Sequence, residues 1–536
     1  MYDTADLDSA VESVVDAIWF NQGQVCSAGS KLLVQSTVYD KFVQKLKTRL
    51  SHFRIGHSLD KAIDMGPVVN ETQKKTITEY VESAREEGAE VFQTECPNGC
   101  YYPPTLITKV NTASRVVMEE IFGPVLVALP FRTAKEAISL ANNTLYGLGA
   151  SVHSEQLPLA LETAKHIKAG SVWLNCHNLF DAAAGFGGYK QSGFGRDGGQ
   201  EGLYEYVKPA WQTTTIINLN VDIDYSKFGS TYAADRPAIN GNSVEASDCP
   251  NIDHTYKLYY GGAQKRPDGN YSSVIRNVEG KPIAQVGQTN RKDVRNAVEV
   301  AKKGQNGWEK RTGFNRAQIL YYIAENLELR KKEFADRLFE MSGKPLKDCT
   351  DEVECSITRL FYWAALADKF GGTVQETQLY GTVIKIHEPI GVIGIACPNQ
   401  CPLLGFVSLF APAIARGNAV VVIPSEKNPL PALDMYQIFD TSDLPGGVVN
   451  ILSGEKDHVM KYLVEHQDID AVWYFGSEQG SKFVEYSSAT NVKRTWADYG
   501  KSRDWMSTQQ GQGEEFLYHS VQCKNVWLTM GDIFAN

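Results

Sequence analysis

Apolar residues recur at helical spacing near the start of the chain. Leu7, Val11, Val14 and Ile18 would share one face of a helix over residues 6–20, and acidic residues at its start suit the positive end of the helix dipole. Further helices are predicted over residues 38–50, 71–88 and 134–141, and strands over residues 31–35, 125–131 and 171–174. Because strands and helices alternate, this region is predicted to have an α/β organisation.

The pattern breaks between about residues 217 and 254, where Asp, Ser, Gly, Asn and Pro dominate and apolar periodicity is weak. This composition predicts a linker. A second α/β region follows, with predicted helices over residues 291–303, 316–332 and 351–367 and predicted strands over residues 390–396, 419–423, 448–452 and 471–475. Such short, continuously apolar strands are typical of a parallel sheet buried on both faces. Residues 503–536 are polar and weakly patterned, and we interpret them as a C-terminal tail.

Composition narrows the function classes. The 536 residues carry a formal net charge of −10 and are 43% hydrophobic, which is typical of a soluble globular protein with several structural units. No basic stripe is present, so no nucleic-acid partner is expected. The most apolar stretch, residues 403–415, is shorter than the roughly 20 residues that span a bilayer, so it predicts a buried helix and no membrane partner. No secretory signal is visible, and a cytoplasmic location is expected.

The ten cysteines are too sparse for a disulfide scaffold and are interpreted as reduced thiols. A Cys-x3-Cys spacing occurs twice, at Cys96/Cys100 and at Cys397/Cys401. Neither pair has a second pair of ligands at zinc spacing nearby, so no metal site is predicted.

One cysteine, Cys26, lies in a glycine-rich stretch, residues 20–30, with the sequence FNQGQVCSAGS. A reactive cysteine must be a thiolate near positive potential, and it needs donors directed at the oxyanion that forms on attack. A glycine-rich turn beside a helix supplies exposed N–H groups and a favourable dipole. On these residues alone, a buried structural cysteine is as good an interpretation as a nucleophile.

Four further motifs follow Cys26 in order: MEEIFGPV at residues 118–125, NNTLYGL at 142–148, GSVWLN at 170–175 and GFGGYKQSG at 185–193. With them, residues 1 to about 217 resemble the catalytic half of an aldehyde dehydrogenase. The resemblance implies that Cys26 is the nucleophile. It also implies that Glu120 holds the nicotinamide ribose, that Phe122 borders the nicotinamide ring and that Phe186 lines the substrate pocket.

Taken singly, Glu120 could be a solvated carboxylate, and Phe122 or Phe186 a core aromatic. The ordered set of motifs favours a functional role for each. Residues 212–219 correspond to the family's oligomerisation strand, so a homo-oligomer is expected.

The second α/β region resembles the other half of the same family, which binds the cofactor. The motifs are EPIGVIG at residues 388–394, GNAVVV at 417–422, LPGGVVN at 444–450 and FGS at 475–477. The resemblance implies that Gly476 and Ser477 form a strand-to-helix turn facing a pyrophosphate and that Glu426 binds a ribose. Residues 526–532 resemble the family's C-terminus.

The predicted fold class is therefore α/β and aldehyde-dehydrogenase-like, with an unusual order of parts. Residues 1–217 form a catalytic half, residues 218–255 a linker, residues 256–502 the Rossmann-like cofactor half of a second, incomplete unit, and residues 503–536 a tail. This order resembles the tandem aldehyde dehydrogenases of family 16 after loss of the first cofactor half. A circularly permuted unit, in which the two halves dock within one chain, is the alternative.

Several positions depart from the family pattern in the second half. Ala497 replaces the general-base glutamate, and Gln400 replaces the asparagine of the oxyanion hole, which moves the donor by roughly an ångström. Ile423 replaces a ribose-binding lysine, and Phe475 replaces a threonine beside the pyrophosphate. We expect this half to bind dinucleotide weakly or not at all, with Gly476 and Ser477 forming a structural turn.

The resemblance implies an oxidoreductase that converts small aldehydes to carboxylic acids with NAD or NADP, through a thiohemiacetal and a thioester on a cysteine. This chain alone is expected to be weak or inactive, because the base and the first cofactor half are missing, and to bind the cofactor loosely. The alternative is a non-catalytic pseudoenzyme that acts as an oligomerisation or protein-interaction module.

Overall fold

The computed structural model describes residues 1–212, 222–224, 228, 255–378 and 381–529. The chain forms two compact units. The first comprises Met1–Lys208, Gly372–Ile386 and Cys523–Asn536, and the second comprises Pro209–Gly371 and His387–Gln522. The linker and the oligomerisation strand expected from the sequence, at residues 218–255 and 212–219, lie almost entirely outside the described residues.

The first unit contains a four-stranded sheet. Its strands are β1 (Lys31–Gln35), β2 (Glu90–Gln93), β3 (Thr105–Thr108) and β4 (Val125–Phe131), in the order β1-β4-β3-β2. Strand β4 is parallel to β1 and β3, while β2 is antiparallel to β3. Every residue of β4 except Pro130 is buried, which explains its continuously apolar sequence.

A second sheet of this unit has five strands. In spatial order they are Thr373–Thr377, Gly381–Pro389, Val521–Thr529, β6 (Ser171–Leu174) and β5 (Gly149–Val152). Strand β6 is parallel to both of its neighbours and places Trp173 opposite Trp527. A short segment from the end of the chain therefore completes the sheet that carries β5 and β6.

The helices of the first unit are α1 (Leu7–Trp19), α2 (Tyr39–Ser51), α3 (Glu71–Glu86), α4 (Arg115–Met118), α5 (Ala134–Asn142), α6 (Leu157–His166) and α7 (Gly199–Leu203). Asp6 caps α1, because its carboxylate accepts hydrogen bonds from the amides of Asp8 and Ser9. The predicted apolar face of α1 is buried, including Ile18 and Trp19. The helices and strands predicted between residues 6 and 174 are confirmed, with the strand bounds unchanged.

The second unit is built on a seven-stranded sheet. In spatial order its strands are Arg494–Ala497, Ala471–Tyr474, Val392–Ala396, Ala419–Ile423, Val449–Ile451, Leu258–Tyr260 and Ala263–Lys265. The first five are parallel, and the last two form an antiparallel hairpin at the edge. A separate three-stranded sheet contains Ser272–Arg276, Pro282–Gly287 and Thr255–Tyr256.

The main helices of this unit are Arg291–Trp308, Gly313–Leu329, Lys331–Ser342, Leu346–Leu366, Pro402–Ala415, Leu430–Asp440, Lys456–Val464 and Glu478–Ser488. Every residue of Pro402–Ala415 is buried, so the most apolar stretch of the chain is a core helix, as its length predicted. No helix among the described residues is both long and apolar enough to cross a membrane.

The helix predicted over residues 316–332 is in fact two helices. The first begins earlier, because the hydroxyl of Thr312 accepts a hydrogen bond from the amide of Asn315 and caps Gly313–Leu329. Arg330 leaves the helical conformation, with φ −108° and ψ 15°, and Lys331–Ser342 follows. The helical periodicity continues across this break, which is why the sequence did not reveal it.

The expected tail over residues 503–536 contains regular structure. The helix Glu514–Ser520 is followed by the strand Val521–Thr529. The strand was missed because Lys524 and Asn525 interrupt its apolar pattern, yet both side chains are fully buried. The ammonium of Lys524 donates hydrogen bonds to the carbonyls of Ala164 and Lys165 at the end of α6.

Candidate active site

A strained turn over residues 21–23 follows α1 and leads to Cys26. Asn21 and Gln22 have φ values of 47° and 58°, and Gly23 has a φ of 68°. A Cβ atom at Gly23 would lie 2.2 Å from the carbonyl oxygen of Gly123. Glycine is therefore required at position 23, and the cysteine segment packs directly on the segment that contains Phe122.

Cys26 and Ser27 are the central residues of a β-turn. The amide of Ala28 donates to the carbonyl of Val25 at 3.0 Å, which closes the turn. Cys26 is exposed, whereas Ser27 is buried. Neither backbone amide of Cys26 or Ser27 donates a hydrogen bond to another described residue. The turn thus offers two N–H groups next to an accessible sulfur.

A cavity of about 510 Å³ lies in front of this turn. Its lining includes Cys26, Glu120 and Phe122, three residues that the sequence singled out, together with Tyr146 and His177. The structure of the first unit thus brings the expected nucleophile and the two expected nicotinamide contacts to one cavity.

The two neighbouring glutamates have different environments. Glu119 accepts hydrogen bonds from the hydroxyl of Tyr80 at 2.9 Å and from Arg115 Nε at 3.0 Å. The pair with Arg115 lowers the pKa of Glu119. Glu120 is exposed and has no hydrogen bond or ion pair with another described residue. Its carboxylate is therefore the one available for a ligand.

Phe122 is held by its backbone. Its φ is 54°, and 40% of the residue is exposed. The side-chain amide of Gln73, on α3, donates to the carbonyls of Ile121 at 3.1 Å and Phe122 at 2.9 Å. Gln73 was missed in the sequence, where nothing distinguishes it from any polar residue at the start of a helix.

Phe186 belongs to a row of aromatic rings. Its ring meets that of Phe180 edge to face at a centroid distance of 5.0 Å, and Phe180 meets Trp173 at 5.8 Å. Phe186 is half-buried and does not line the 510 Å³ cavity, while Phe180 is 42% exposed. The sequence identified Phe186 but not Phe180.

In the second unit, the turn at Gly476 and Ser477 uses its donors internally. The amide of Gly476 donates to the carboxylate of Asp498 at 3.1 Å, and the amide of Ser477 donates to the hydroxyl of Tyr474 at 3.3 Å. The Ser477 hydroxyl accepts from the amide of Gly480 at 2.9 Å and caps the helix Glu478–Ser488. These three amides are therefore hydrogen-bonded within the second unit.

The residues of the second unit that depart from the family pattern have different degrees of exposure. Ile423 is fully buried at a strand end, and Gln400 is exposed. Phe475 is 1% exposed and packs edge to face against Trp496 at 5.0 Å, so its ring is part of the core. Glu426 is exposed and accepts a hydrogen bond from the amide of Lys456 at 3.2 Å.

Comparison with known families gives a clear result. The aldehyde dehydrogenase family model matches residues 1–211 and 265–506. The chain belongs to the aldehyde dehydrogenase family. Both α/β regions are covered by the match, as the two sets of motifs indicated.

Curated relatives match about two fifths of the chain. An aldehyde dehydrogenase from Agaricus bisporus is 41% identical over 223 residues, 41% of this chain and 44% of the relative. A betaine aldehyde dehydrogenase from Bacillus subtilis (strain 168) is 38% identical over 229 residues, 41% of this chain and 47% of the relative. The human mitochondrial aldehyde dehydrogenase is 39% identical over 219 residues, 40% of this chain and 42% of the relative. The chain thus spans less than half the length of these relatives.

Two solved structures are also similar. A betaine aldehyde dehydrogenase from Staphylococcus aureus in complex with NAD+ is 41% identical, with a TM-score of 0.38, over 38% of this chain and 42% of that chain. An NAD+ complex of an aldehyde dehydrogenase from Bacillus cereus is 26% identical, with a TM-score of 0.45, over 46% of this chain and 50% of that chain.

Proposed function

We propose that residues 1–217 act as the catalytic half of an enzyme that oxidises aldehydes to carboxylic acids. One observation carries this proposal: the exposed Cys26, on a turn with two unbonded amides, lines the same cavity as Glu120 and Phe122. A nucleophile, donors for an oxyanion and contacts for a nicotinamide are the parts that this reaction needs.

The chemistry starts at Cys26. Its thiolate adds to the carbonyl carbon, which forms a C–S bond and places the electron pair on oxygen, where the turn amides can donate to it. NAD or NADP, when bound, supplies the hydride acceptor that oxidises this carbon by two electrons. Water then cleaves the resulting thioester on Cys26, giving the carboxylic acid and the free thiol. The sum is R–CHO + NAD(P)⁺ + H₂O → R–COOH + NAD(P)H + H⁺.

Glu120 and Phe122 orient the nicotinamide end of the cofactor in this scheme. The free carboxylate of Glu120 suits a ribose hydroxyl donor, and the exposed ring of Phe122 offers an apolar surface to a flat ring. Phe186 lies outside the cavity that Cys26 lines, and its place at the substrate stays a prediction of the resemblance.

We assign a different role to residues 256–502, which resemble a second cofactor half. The bonded amides at Gly476, Ser477 and Gly480 and the buried Phe475 favour a structural turn over a pyrophosphate site. Ala497 offers no carboxylate where the family's general base belongs. The dinucleotide and the base would therefore come from another cofactor half, as in the tandem arrangement of family 16.

The test is formation of NADH or NADPH from a panel of aldehydes. The full chain is compared with a longer protein in which an aldehyde dehydrogenase cofactor half precedes residue 1. We expect turnover in the longer protein and little in the chain alone. No turnover with any aldehyde in the longer protein, folded by circular dichroism, discards the proposal.

The second candidate function is a non-catalytic module, which the closed turn at Gly476 supports for residues 256–536. A ligand that binds only the folded form must stabilise it. The melting temperature of the full chain is therefore measured with and without NAD, for the wild type and for Glu426→Ala. If NAD raises the melting temperature of the wild type but not that of Glu426→Ala, the second unit binds the cofactor. The non-catalytic interpretation is then wrong.

A further inference from the structure

A half-buried histidine, His177, is hydrogen-bonded to the residue that follows the expected nucleophile. His177 Nε2 lies 2.9 Å from the carbonyl oxygen of Ser27, and its Nδ1 is hydrogen-bonded to the hydroxyl of Ser151 on β5. Nothing in the sequence motifs pointed to this residue.

The hydrogen bonds define which nitrogen carries the proton. A carbonyl oxygen only accepts, so Nε2 must donate to Ser27, and in the neutral ring Nδ1 then accepts from the Ser151 hydroxyl. Burial lowers the pKa of His177 to about 4, so the ring is neutral at physiological pH. A directed chain of two hydrogen bonds thus runs from β5 to the cysteine turn.

Ser27 is held at a second point. Its hydroxyl donates to the side-chain oxygen of Asn178 at 2.7 Å. The His177 ring is packed on Trp173, at a centroid distance of 4.8 Å, and the Trp173 indole donates to the carbonyl of Leu179 at 3.0 Å. Because both anchors of Ser27 come from the segment after β6, they fix the orientation of the residue next to Cys26.

We propose that His177 is a positioning residue that holds the turn so that the amides of Cys26 and Ser27 face the oxyanion. The inference rests on the proposed role of Cys26 as nucleophile. Loss of His177 should therefore slow reactions at Cys26 that build negative charge on a carbonyl oxygen. Reactions of the same sulfur that build no such charge should be slowed much less.

Two reactions of the full chain separate these cases. Acetylation of Cys26 by p-nitrophenyl acetate passes through an oxyanion, whereas alkylation by iodoacetamide at the same sulfur does not. Both rate constants are followed at Cys26 by peptide mass spectrometry, with no cofactor needed. Melting temperatures show whether each variant is folded.

His177→Phe keeps an aromatic ring on Trp173 but removes the donor. We expect it to slow acetylation about tenfold while alkylation changes much less. His177→Gln keeps an N–H in reach of the Ser27 carbonyl and should recover most of the acetylation rate. His166→Phe makes the same exchange at an exposed position and should change neither rate.

The inference is overturned if acetylation is unchanged in His177→Phe, if acetylation and alkylation fall together, or if His177→Gln is as slow as His177→Phe. Each of these outcomes leaves Cys26 as the nucleophile of the wild-type chain. A wild-type chain that does not acetylate at Cys26 contradicts the proposed function itself, and this inference with it.

Discussion

Two turns in this chain, one in each unit, differ in whether their backbone amides are hydrogen-bonded. At Cys26 the surrounding residues are firmly bonded, but the two central amides have no partner among the described residues. At Gly476 and Ser477 the amides are taken by Asp498 and Tyr474. The comparison shows that a family motif indicates the course of the backbone, while the neighbouring side chains decide whether its donors are available to a ligand.

The largest effect is expected at the nucleophile itself. Cys26→Ala should reduce p-nitrophenolate release from p-nitrophenyl acetate by about a thousandfold, since the proposed acyl acceptor is removed. Release is measured by absorbance under single-turnover conditions, and Cys100→Ala is the control. A variant that keeps more than about a tenth of the rate would place the nucleophile elsewhere.

A second test compares two cysteines of the first unit. Cys26 is exposed, whereas burial raises the pKa of the Cys176 thiol to about 12. Near neutral pH, iodoacetamide should therefore modify Cys26 about a hundredfold faster than Cys176, because only the thiolate reacts. Peptide mass spectrometry over time gives both rates. Equal rates would indicate that Cys26 is a structural thiol.

The strained turn provides the third test. Gly23→Ala combines a φ of 68° with a Cβ clash against Gly123, so we expect a loss of at least about 2 kcal/mol in the free energy of unfolding and about tenfold slower acetylation of Cys26. Gly88→Ala is the matched control, since Gly88 has a φ of 88° and nothing within 4 Å of its Cβ position. If Gly23→Ala and Gly88→Ala change the rate of Cys26 acetylation equally, Gly23 has no specific effect on the site.

The smallest effect concerns the closed turn of the second unit. Burial raises the pKa of Asp498, so the folded state favours the neutral carboxyl. The neutral carboxyl of Asp498 therefore contributes its full stabilisation below the ordinary aspartate pKa of about 4. This stabilisation is lost as the pH rises through the raised pKa of the folded state. Asp498→Asn, which keeps the acceptor, should escape this loss and gain on the order of 1 kcal/mol over the wild type between acidic and neutral pH.

Urea unfolding at a series of pH values measures this difference. The exposed Asp443→Asn serves as the control and should follow the wild type at every pH. If Asp498→Asn shows the same pH dependence as the wild type, the pKa of Asp498 is not raised in the folded state.

Much of the fold followed from local patterns. The strand at residues 125–131 was predicted because it is continuously apolar, and those at residues 31–35 and 171–174 because most of their residues are apolar. The strand Val521–Thr529 was not, since Lys524 and Asn525 are buried polar residues whose environment comes from distant parts of the chain.

The candidate site was predictable only in part. Cys26, Glu120 and Phe122 were found through motifs, and they line one cavity. Gln73 and His177 act through hydrogen bonds to backbone carbonyls far away in the sequence. Such contacts produce no recognisable pattern in the sequence. The same is true of the hydrogen bond from the Ser477 amide to the Tyr474 hydroxyl.

The most direct test of the central claim is the location of an acyl group on the protein. The full chain is treated briefly with p-nitrophenyl acetate, quenched in acid and mapped by peptide mass spectrometry. We expect one acetyl group per chain, on Cys26. An acetyl group spread over several cysteines, or none on Cys26, would contradict the assignment of this residue as the nucleophile.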